Sequence, residues 1–377
     1  MINLTFLDFR ISKDPRGNSL GRGTEIILHL RKDALSFLDG DKLLQIVKKH
    51  SEFINFPIYL WSEVEVEDEE PQAAEPESDV SDVEDAADKK DATESSVKTV
   101  FQWEKINENK PIWTKSPADV KTEEYHNFFK THFKQSEAPL AHSHFKLEGG
   151  NRFTAMIFIP ATAPARFLQP DAPITQPLQL FVRRVFITDD LYELLPKWLT
   201  FVKVLIDSDD LPLNVNRETL QNHASLKIIR NRIITKTLDL LQDLSEKQPE
   251  VYEKVFNTYS GAFRYGIIDA KEKHADKLKA LLRFESSLKP GVSFDEYIKN
   301  MKKDQPQIYF ATGNNFEEIK ALPLAEKVIK RGYEVLLISN ELEEYVVERE
   351  IKKYGDFPLQ NVAKEGLLFG DEGIYLI

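Results

Sequence analysis

Residues Gln307–Ser339 read QIYFATGNNFEEIKALPLAEKVIKRGYEVLLIS. Two apolar runs, Gln307–Ala311 and Tyr333–Ser339, have the length and residue types of buried strands, and the stretch near Phe316–Lys330 between them is helical. Gly332 stands where a helix of that length stops. A strand, a helix and a second strand in this order form a βαβ unit, whose strands are expected to be parallel and its crossover right-handed. That unit puts the region in the α/β class.

The same alternation extends upstream. Phe153–Ile159 and Leu178–Ile187 are rich in β-branched and aromatic residues, and a Gly149-Gly150-Asn151 turn joins the first of them to a strand around His144–Leu147. Leu191–Ile206 is expected to be helical, with a kink or restart at Pro196. From Arg217 to Leu244, residues Leu226, Ile229, Ile233, Leu240 and Leu244 recur at helical spacing. Shorter helices are expected around Phe256, Tyr259, Phe263, Leu278, Leu281 and Leu282. Before residue 62 the chain shows a turn at Asp14–Asn18, a strand at Thr24–Leu30 and a short helix at Asp41–Phe53. These are too little for a core of their own.

The whole chain has 377 residues, more than one core usually holds, so two or three units are expected. With 41% hydrophobic and 30% charged residues it has the balance of a globular protein rather than a wholly disordered one. No apolar run approaches the ~20 residues of a membrane span, and the N-terminus lacks a basic region followed by an apolar one. There is no cysteine, which excludes disulfides, thiolate metal sites and a cysteine nucleophile.

The net charge of −12 is local. Residues 63–98 hold fifteen carboxylates against Lys89, Lys90 and Lys98, which equals the whole excess and leaves the rest of the chain neutral. No basic surplus steers the folded parts towards nucleic acid. Between Trp61 and Phe101 there is no aromatic residue, leucine or isoleucine, so this stretch is expected to be a disordered acidic linker extended by self-repulsion. A solvated linker accounts for it more simply than a docking tail for a basic partner.

Common catalytic signatures are absent: there is no GxxxxGK[ST], HExxH, GxSxG or GxGxxG. His142 and His144 share one face of a strand, but without an acidic or thiolate neighbour in sequence no metal site is expected. Thr312-Gly313-Asn314-Asn315 opens a helix after a strand; an asparagine cap explains it better than an anion site. The run DSDDLPLNVNRETLQ, Asp207–Gln221, is more informative. Asn216 is placed as N-cap, Arg217 as a cation in the first turn and Gln221 one turn on, an arrangement suited to the terminal phosphate of a nucleotide. Pairing of Arg217 with Asp209 or Asp210 is the simpler alternative from spacing alone. Gly21-Arg22-Gly23-Thr24 allows close backbone approach and offers a hydroxyl, a weaker signal.

At these motifs the chain resembles a known family. DPRGNSLGRGTEIILHL (Asp14–Leu30), INFPIYLW (Ile54–Trp61), KPIW (Lys110–Trp113), LFVRRVFITDD (Leu180–Asp190), DSDDLPLNVNRETLQ and NVAKEG (Asn361–Gly366) resemble, in order, the ninety-kilodalton heat-shock chaperones. The opening run is most similar to the endoplasmic-reticulum branch of that family. The resemblance implies part of a homodimeric, ATP-driven clamp. Residues 1–62 would be the C-terminal part of an incomplete N-terminal nucleotide-binding domain, an α+β segment, and 63–100 the linker. Residues 101–266 would be the large α/β part of the middle domain, 267–303 a helical connector and 304–370 a small α/β part, two α/β layers in all.

By the same resemblance Arg217 reaches the γ-phosphate of ATP and Gln221 shares its catalytic loop. Asn214 lies in that loop beside the nucleotide, and Thr24 is at the adenine end of the pocket. Phe158, Phe167 and Leu168, in an apolar loop interrupted by prolines, are the implied contacts for client proteins. Asn216 stands where the family usually has serine, which keeps an N-cap.

ATP with Mg2+ is the implied cofactor, but the glutamate that activates water, the magnesium ligand, the glycine-rich lid and the C-terminal dimerisation domain have no counterpart in this sequence. Asp371–Ile377 fits no family pattern, and the chain is expected to be a piece of something longer, inactive as an ATPase by itself. Implied partners are clients, co-chaperones and a second copy, with neither nucleic acid nor membrane. The implied compartment is the endoplasmic-reticulum lumen, with which the sequon Asn3-Leu4-Thr5 is compatible, or otherwise the cytoplasm. A module that holds clients or co-chaperones without hydrolysis is the alternative reading.

Overall fold

The computed structural model describes residues 2–4, 9–11, 13, 15, 17, 20–54, 56–67, 97–107, 111–149, 152–164, 168–169, 177–191, 194–209, 211, 223–269 and 274–370. They fall into two units, residues 1–49 with 58–106, and residues 50–57 with 107–377.

The first unit holds two antiparallel ribbons and a helix. Strands β1 (Ile2–Leu4) and β2 (Phe9–Ile11) pair, helix α1 spans Gly40–Ser51, and β3 (Tyr59–Glu67) pairs with β4 (Val97–Lys105) from Tyr59↔Lys105 to Glu67↔Val97. Thr24–Leu30 is not a strand: it has no regular secondary structure, and Ile26 and Leu28 are 79% and 76% exposed. Its residue types suit a strand, but a strand also needs a neighbouring edge to bond. The expected linker also begins and ends differently. Glu63–Glu67 and Val97–Val100 are strand residues, because Val and Glu alternate at the strand period and each has a cross-strand partner. Residues 68–96 lie outside the described part.

The second unit is built on two five-stranded mixed sheets. In the first, β5 (Ala141–Leu147), β6 (Phe153–Ile159), β7 (Leu178–Val182), β8 (Val185–Thr188) and β9 (Lys203–Ser208) lie in the order β5-β6-β9-β7-β8. Successive side chains of β6 go to opposite faces. Ala155 and Ile157 enter one apolar cluster with Val204 and Ile206, while Met156 and Phe158 enter another with Phe129, Phe181 and Leu205. A strand buried on both faces reads as a continuous apolar run, which is what FTAMIFI shows.

The expected helix over Leu191–Ile206 is therefore corrected. Lys203–Ser208 is the middle strand of the sheet, antiparallel to β6 and parallel to β7. Helical spacing of the apolar residues there yields to burial on both faces, and only a short 3-10 turn, Lys197–Leu199, follows Pro196. The single strand expected over Leu178–Ile187 is a hairpin. Arg183 and Arg184 turn it with φ +51° and +66°, the left-handed region usually left to glycine or asparagine.

One face of this sheet is closed by α2 (Thr122–His132) and by residues 50–57. Phe53 is buried beside Trp113, at 4.6 Å between ring centroids, and beside His132 and Phe181. That segment packs within the second unit although it precedes the acidic stretch in sequence. The other face is covered by α3 (His223–Lys247), where a long amphipathic helix is expected from the spacing over Arg217–Leu244, and by α4 (Pro249–Asp269), longer than the short helices expected there. A Cβ on Gly266 of α4 would come 2.9 Å from Trp198, so glycine is what lets the helix approach.

After α5 (Ala275–Leu281) the second sheet follows: β10 (Glu285–Ser286), α6 (Phe294–Asn300), β11 (Ile308–Thr312), α7 (Phe316–Ala321), α8 (Pro323–Lys330), β12 (Leu336–Ile338), α9 (Glu341–Tyr345), β13 (Lys353–Tyr354) and β14 (Phe357–Asn361). Its order is β10-β12-β11-β14-β13, and β11 is parallel to both β12 and β14, as the βαβ pattern required. Pro323 begins a new helix after α7, which splits the expected Phe316–Lys330 helix in two. Gly332 then ends α8 at φ +79°. The fold is mixed α/β, as expected.

Candidate functional site

The sequence motif richest in chemistry begins at the C-terminal end of β9. Asp207 is the pivot of this corner. Its Oδ2 accepts the indole N–H of Trp113 at 2.8 Å, and its Oδ1 accepts the backbone N–H of Arg184, at the tip of the β7–β8 turn, at 3.1 Å. Burial pushes the Asp207 carboxyl above the usual carboxylate range, and the bonds from Trp113 and Arg184 oppose that rise.

The neighbouring backbone is tied as well. Arg183 N–H donates to Ser208 O at 3.2 Å, Arg183 Nε to Asp209 O at 3.4 Å, and Ser208 Oγ donates to Arg152 O at 2.7 Å. Beside this corner lies a cavity of about 240 Å³, lined by Trp113, Lys146, Arg152, Arg184, Asp207 and Asp209 among others. Its cations and carboxylates are balanced, and it is small for a nucleotide-sized ligand, whose clefts run to roughly 300–1,000 Å³.

Asn214, Arg217 and Gln221 lie outside the described residues, as does Asn216; the described helix α3 begins at His223. Thr24 is described, exposed in the unpaired segment that follows Gly21 and Gly23, both with positive φ. Phe167 is also outside the described residues.

Phe158 is corrected as a client contact. It is fully buried in β6 against Phe128, Phe129, Phe133 and His142, so no client reaches it while the sheet is folded. The residue lies inside Phe153–Ile159, whose composition already suits a strand, and the proline-interrupted stretch begins only at Pro160. Leu168 is half-buried with φ +67°, and its Cδ1 would lie 3.6 Å from a Cβ on Gly261, so it rests against α4.

The histidine pair is structural. Tyr125 Oη is 2.8 Å from His144 Nδ1, His144 Nε2 is 3.2 Å from Trp113 O, and the Tyr125 ring stacks on His142 at 4.1 Å. Burial, with the charges of His126 and His144, holds His142 down to about 4. Among the described residues no group of three or more His, Asp or Glu side chains is placed to hold a metal ion. Thr312–Asn315 is a capped turn: the Asn315 side chain accepts Glu318 N–H at 2.9 Å.

A larger cleft of about 940 Å³ lies along α3, α4 and α6. Within it Arg264 of α4 and Glu343 of α9 form a largely buried ion pair at 2.8 Å. Burial raises the Glu343 carboxyl and the Arg264 guanidinium opposes the rise.

Trp113, Arg184 and Asp207 lie in three separate motifs of the sequence, and no local signal brings them together. The available signal was an acidic residue closing an apolar strand, VLIDS, where a carboxylate needs a partner.

Comparison with known proteins decides the family. The Hsp90 protein family model matches residues 36–373, which hold every motif above except Asp14–Leu30. The chain belongs to the Hsp90 family. Three curated relatives are each 40% identical to it: the Endoplasmin homologs of Dictyostelium discoideum, Caenorhabditis elegans and Arabidopsis thaliana, over 97%, 96% and 97% of this chain. The chain spans about half the length of these relatives, 49%, 47% and 49% respectively. Among solved structures, the middle domain of a Plasmodium falciparum heat shock protein superposes with a TM-score of 0.58 at 29% identity, covering 67% of this chain and all of that one. The Hsp90 chain described here thus contains the middle-domain fold, with the corner at Asp207 inside the matched region.

Proposed function

We propose that this chain is the portion of an ATP-dependent Hsp90 chaperone that supplies the γ-phosphate-contacting arginine, Arg217. The observation that supports it is the family match, which runs through Asp207–Gln221. ATP is substrate here, held by an N-terminal domain of which this chain has only the end. Arg217 presents a fixed, planar charge, and a guanidinium can bind two oxygens of a phosphate where an ammonium binds one. Charge that builds on the transferred phosphoryl group is stabilised more in the transition state than in bound ATP, which raises turnover rather than affinity. Gln221 and Asn214 belong to the same loop, and Thr24 to the adenine end of the pocket. Phe167 and Leu168 are the remaining client contacts. The names of the relatives support a place in the endoplasmic-reticulum lumen; dimerisation through a C-terminal domain is what the family resemblance implies.

The test is a chimaera in which residues 36–373 replace the matched part of the Dictyostelium relative. Arg217→Ala should leave nucleotide affinity in place and cut turnover steeply, arginine fingers of other nucleotide hydrolases being worth roughly 10³–10⁵. Turnover equal to that of the unaltered chimaera refutes the assignment.

A second reading, for the chain taken alone, is a module that holds clients or co-chaperones without hydrolysis. Calorimetry should then show no binding of ATP to this polypeptide; micromolar affinity overturns this reading.

A further inference from the structure

We propose that the cleft of about 940 Å³ along α3, α4 and α6 is a docking site for a basic, partly apolar peptide segment of another protein. It stands apart from the role of Arg217 and from the apolar client contacts, because it rests on the lining of this cleft alone.

The lining holds seven carboxylates against Arg264, Arg283 and Lys299. Outside its acidic stretch the chain is neutral, so this surplus belongs to the cleft and not to a general background. Two of the three cations are already engaged. Arg264 pairs with Glu343 at 2.8 Å, and Arg283 Nη1 donates to Ala280 O and Leu282 O at 3.1 and 2.8 Å. The carboxylates of Glu250, Glu253 and Glu285 meet no cation or hydrogen-bond donor among the described residues. The first turn of α4 accounts for Glu250, since a negative charge suits a helix N-terminus, but not for Glu253 or Glu285. Glu250 and Glu253 lie three residues apart on one helix face, a like-charge spacing that costs stability unless a cation offsets it. Burial raises the Glu343 carboxyl, and the charge of Glu285 adds to the rise.

The walls are aromatic as well as acidic. Tyr252, Phe256 and Phe284 are buried in them, and Phe316 is 37% exposed. Two of these rings already carry the chain's own guanidinium groups, Arg283 over Tyr252 at 4.7 Å and Arg264 over Phe256 at 5.7 Å to the centroid. A lysine or arginine needs just this pairing, an apolar surface for its stem and a carboxylate for its head.

Glu253, Asn257, Ser260 and Arg264 follow one another at helical spacing, so the polar groups are spread along a line. A divalent cation needs oxygens that converge, and no group of three or more His, Asp or Glu among the described residues supplies them. The volume is at the upper end of the roughly 300–1,000 Å³ of small-molecule clefts, room for several side chains. Like charge excludes the chain's own acidic stretch, residues 63–98, as the occupant.

The test titrates a short fluorescein-labelled peptide of alternating lysine and leucine into the whole chain. Glu253→Gln combined with Glu285→Gln should weaken binding about tenfold. Glu123→Gln combined with Glu137→Gln, at exposed carboxylates outside the cleft, should leave it unchanged. Equal loss in both proteins, or loss in neither, overturns the proposal. Residues 63–98 also attract cations, so position is read separately. A benzophenone on the same peptide should label 242–264 and 280–299 of the unaltered chain; label confined to 63–98 overturns the proposal whatever the variants do. Spermine carries the charge without the apolar side chains and should compete at least about tenfold more weakly than unlabelled peptide. Equal competition would make this a polyamine site and overturn the peptide as its occupant.

Discussion

Two seven-residue runs in this chain look alike and end differently. TEIILHL, Thr24–Leu30, and FTAMIFI, Phe153–Ile159, are both rich in the residues that strands favour. The second is β6, bonded on both edges by β5 and β9 and buried on both faces. The first has no partner strand among the described residues, and its Ile26, Ile27 and Leu28 face solvent. Residue type sets what a backbone can do at low cost. Pairing sets whether it does so, because an unpaired strand leaves half its N–H and C=O groups to water and offers no face to bury.

The sharpest way to break that comparison is to remove the side chain that fills β6. Phe158→Ala should cost about 3–5 kcal/mol by chemical denaturation, the usual range for emptying a phenylalanine site in a core. Phe158 is wholly inaccessible and touches four aromatic rings, so little relaxation is available. A cost below about 1 kcal/mol would mean that the side chain is at the surface, as the client-contact expectation had it.

A smaller effect is expected from its cross-strand neighbour. His142 pairs with Phe158 in the β5–β6 register and is held neutral, down to about 4 from an ordinary 6.5, by burial and two nearby imidazoles. The unfolded chain therefore takes up this proton first as pH falls. The contribution is intact above about 6.5, is lost progressively below it, and levels off near 4, where the folded state protonates too. The urea midpoint should drop between pH 7 and pH 5, and His142→Gln should drop less; equal slopes for both proteins would contradict the assignment.

The least effect belongs to the unpaired run. Ile27→Ser should change stability by no more than about 0.5 kcal/mol, as surface substitutions do. A loss of about 2 kcal/mol would show that Thr24–Leu30 finds an edge in solution, and the contrast with β6 would then disappear.

Legibility of the site follows the same division. The βαβ unit was readable because its signals are local: two short apolar runs, a helix between them and a glycine that stops it at φ +79°. The asparagine cap at Asn315 was readable for the same reason, since donor and acceptor are three residues apart. The strand Lys203–Ser208 was misread as helix. Its pairing partners Phe153–Phe158 and Leu178–Val182 are distant in sequence, and apolar spacing alone does not separate a doubly buried strand from a helix. The hairpin at Arg183–Arg184 was hidden because it lacks glycine and asparagine and depends on a carboxylate more than twenty residues on.

Family, fold class and the position of the arginine motif were determined by the sequence by itself, because short motifs in a preserved order carry that information without any contact having been made. Which face of β6 takes Phe158, that Phe53 joins a core beyond the acidic stretch, and that Trp113, Arg184 and Asp207 meet were decided only in three dimensions. Burial and hydrogen bonding act between groups near in space, and the distance from residue 113 to residue 207 along the chain contains no trace of the 2.8 Å that separates them in the fold.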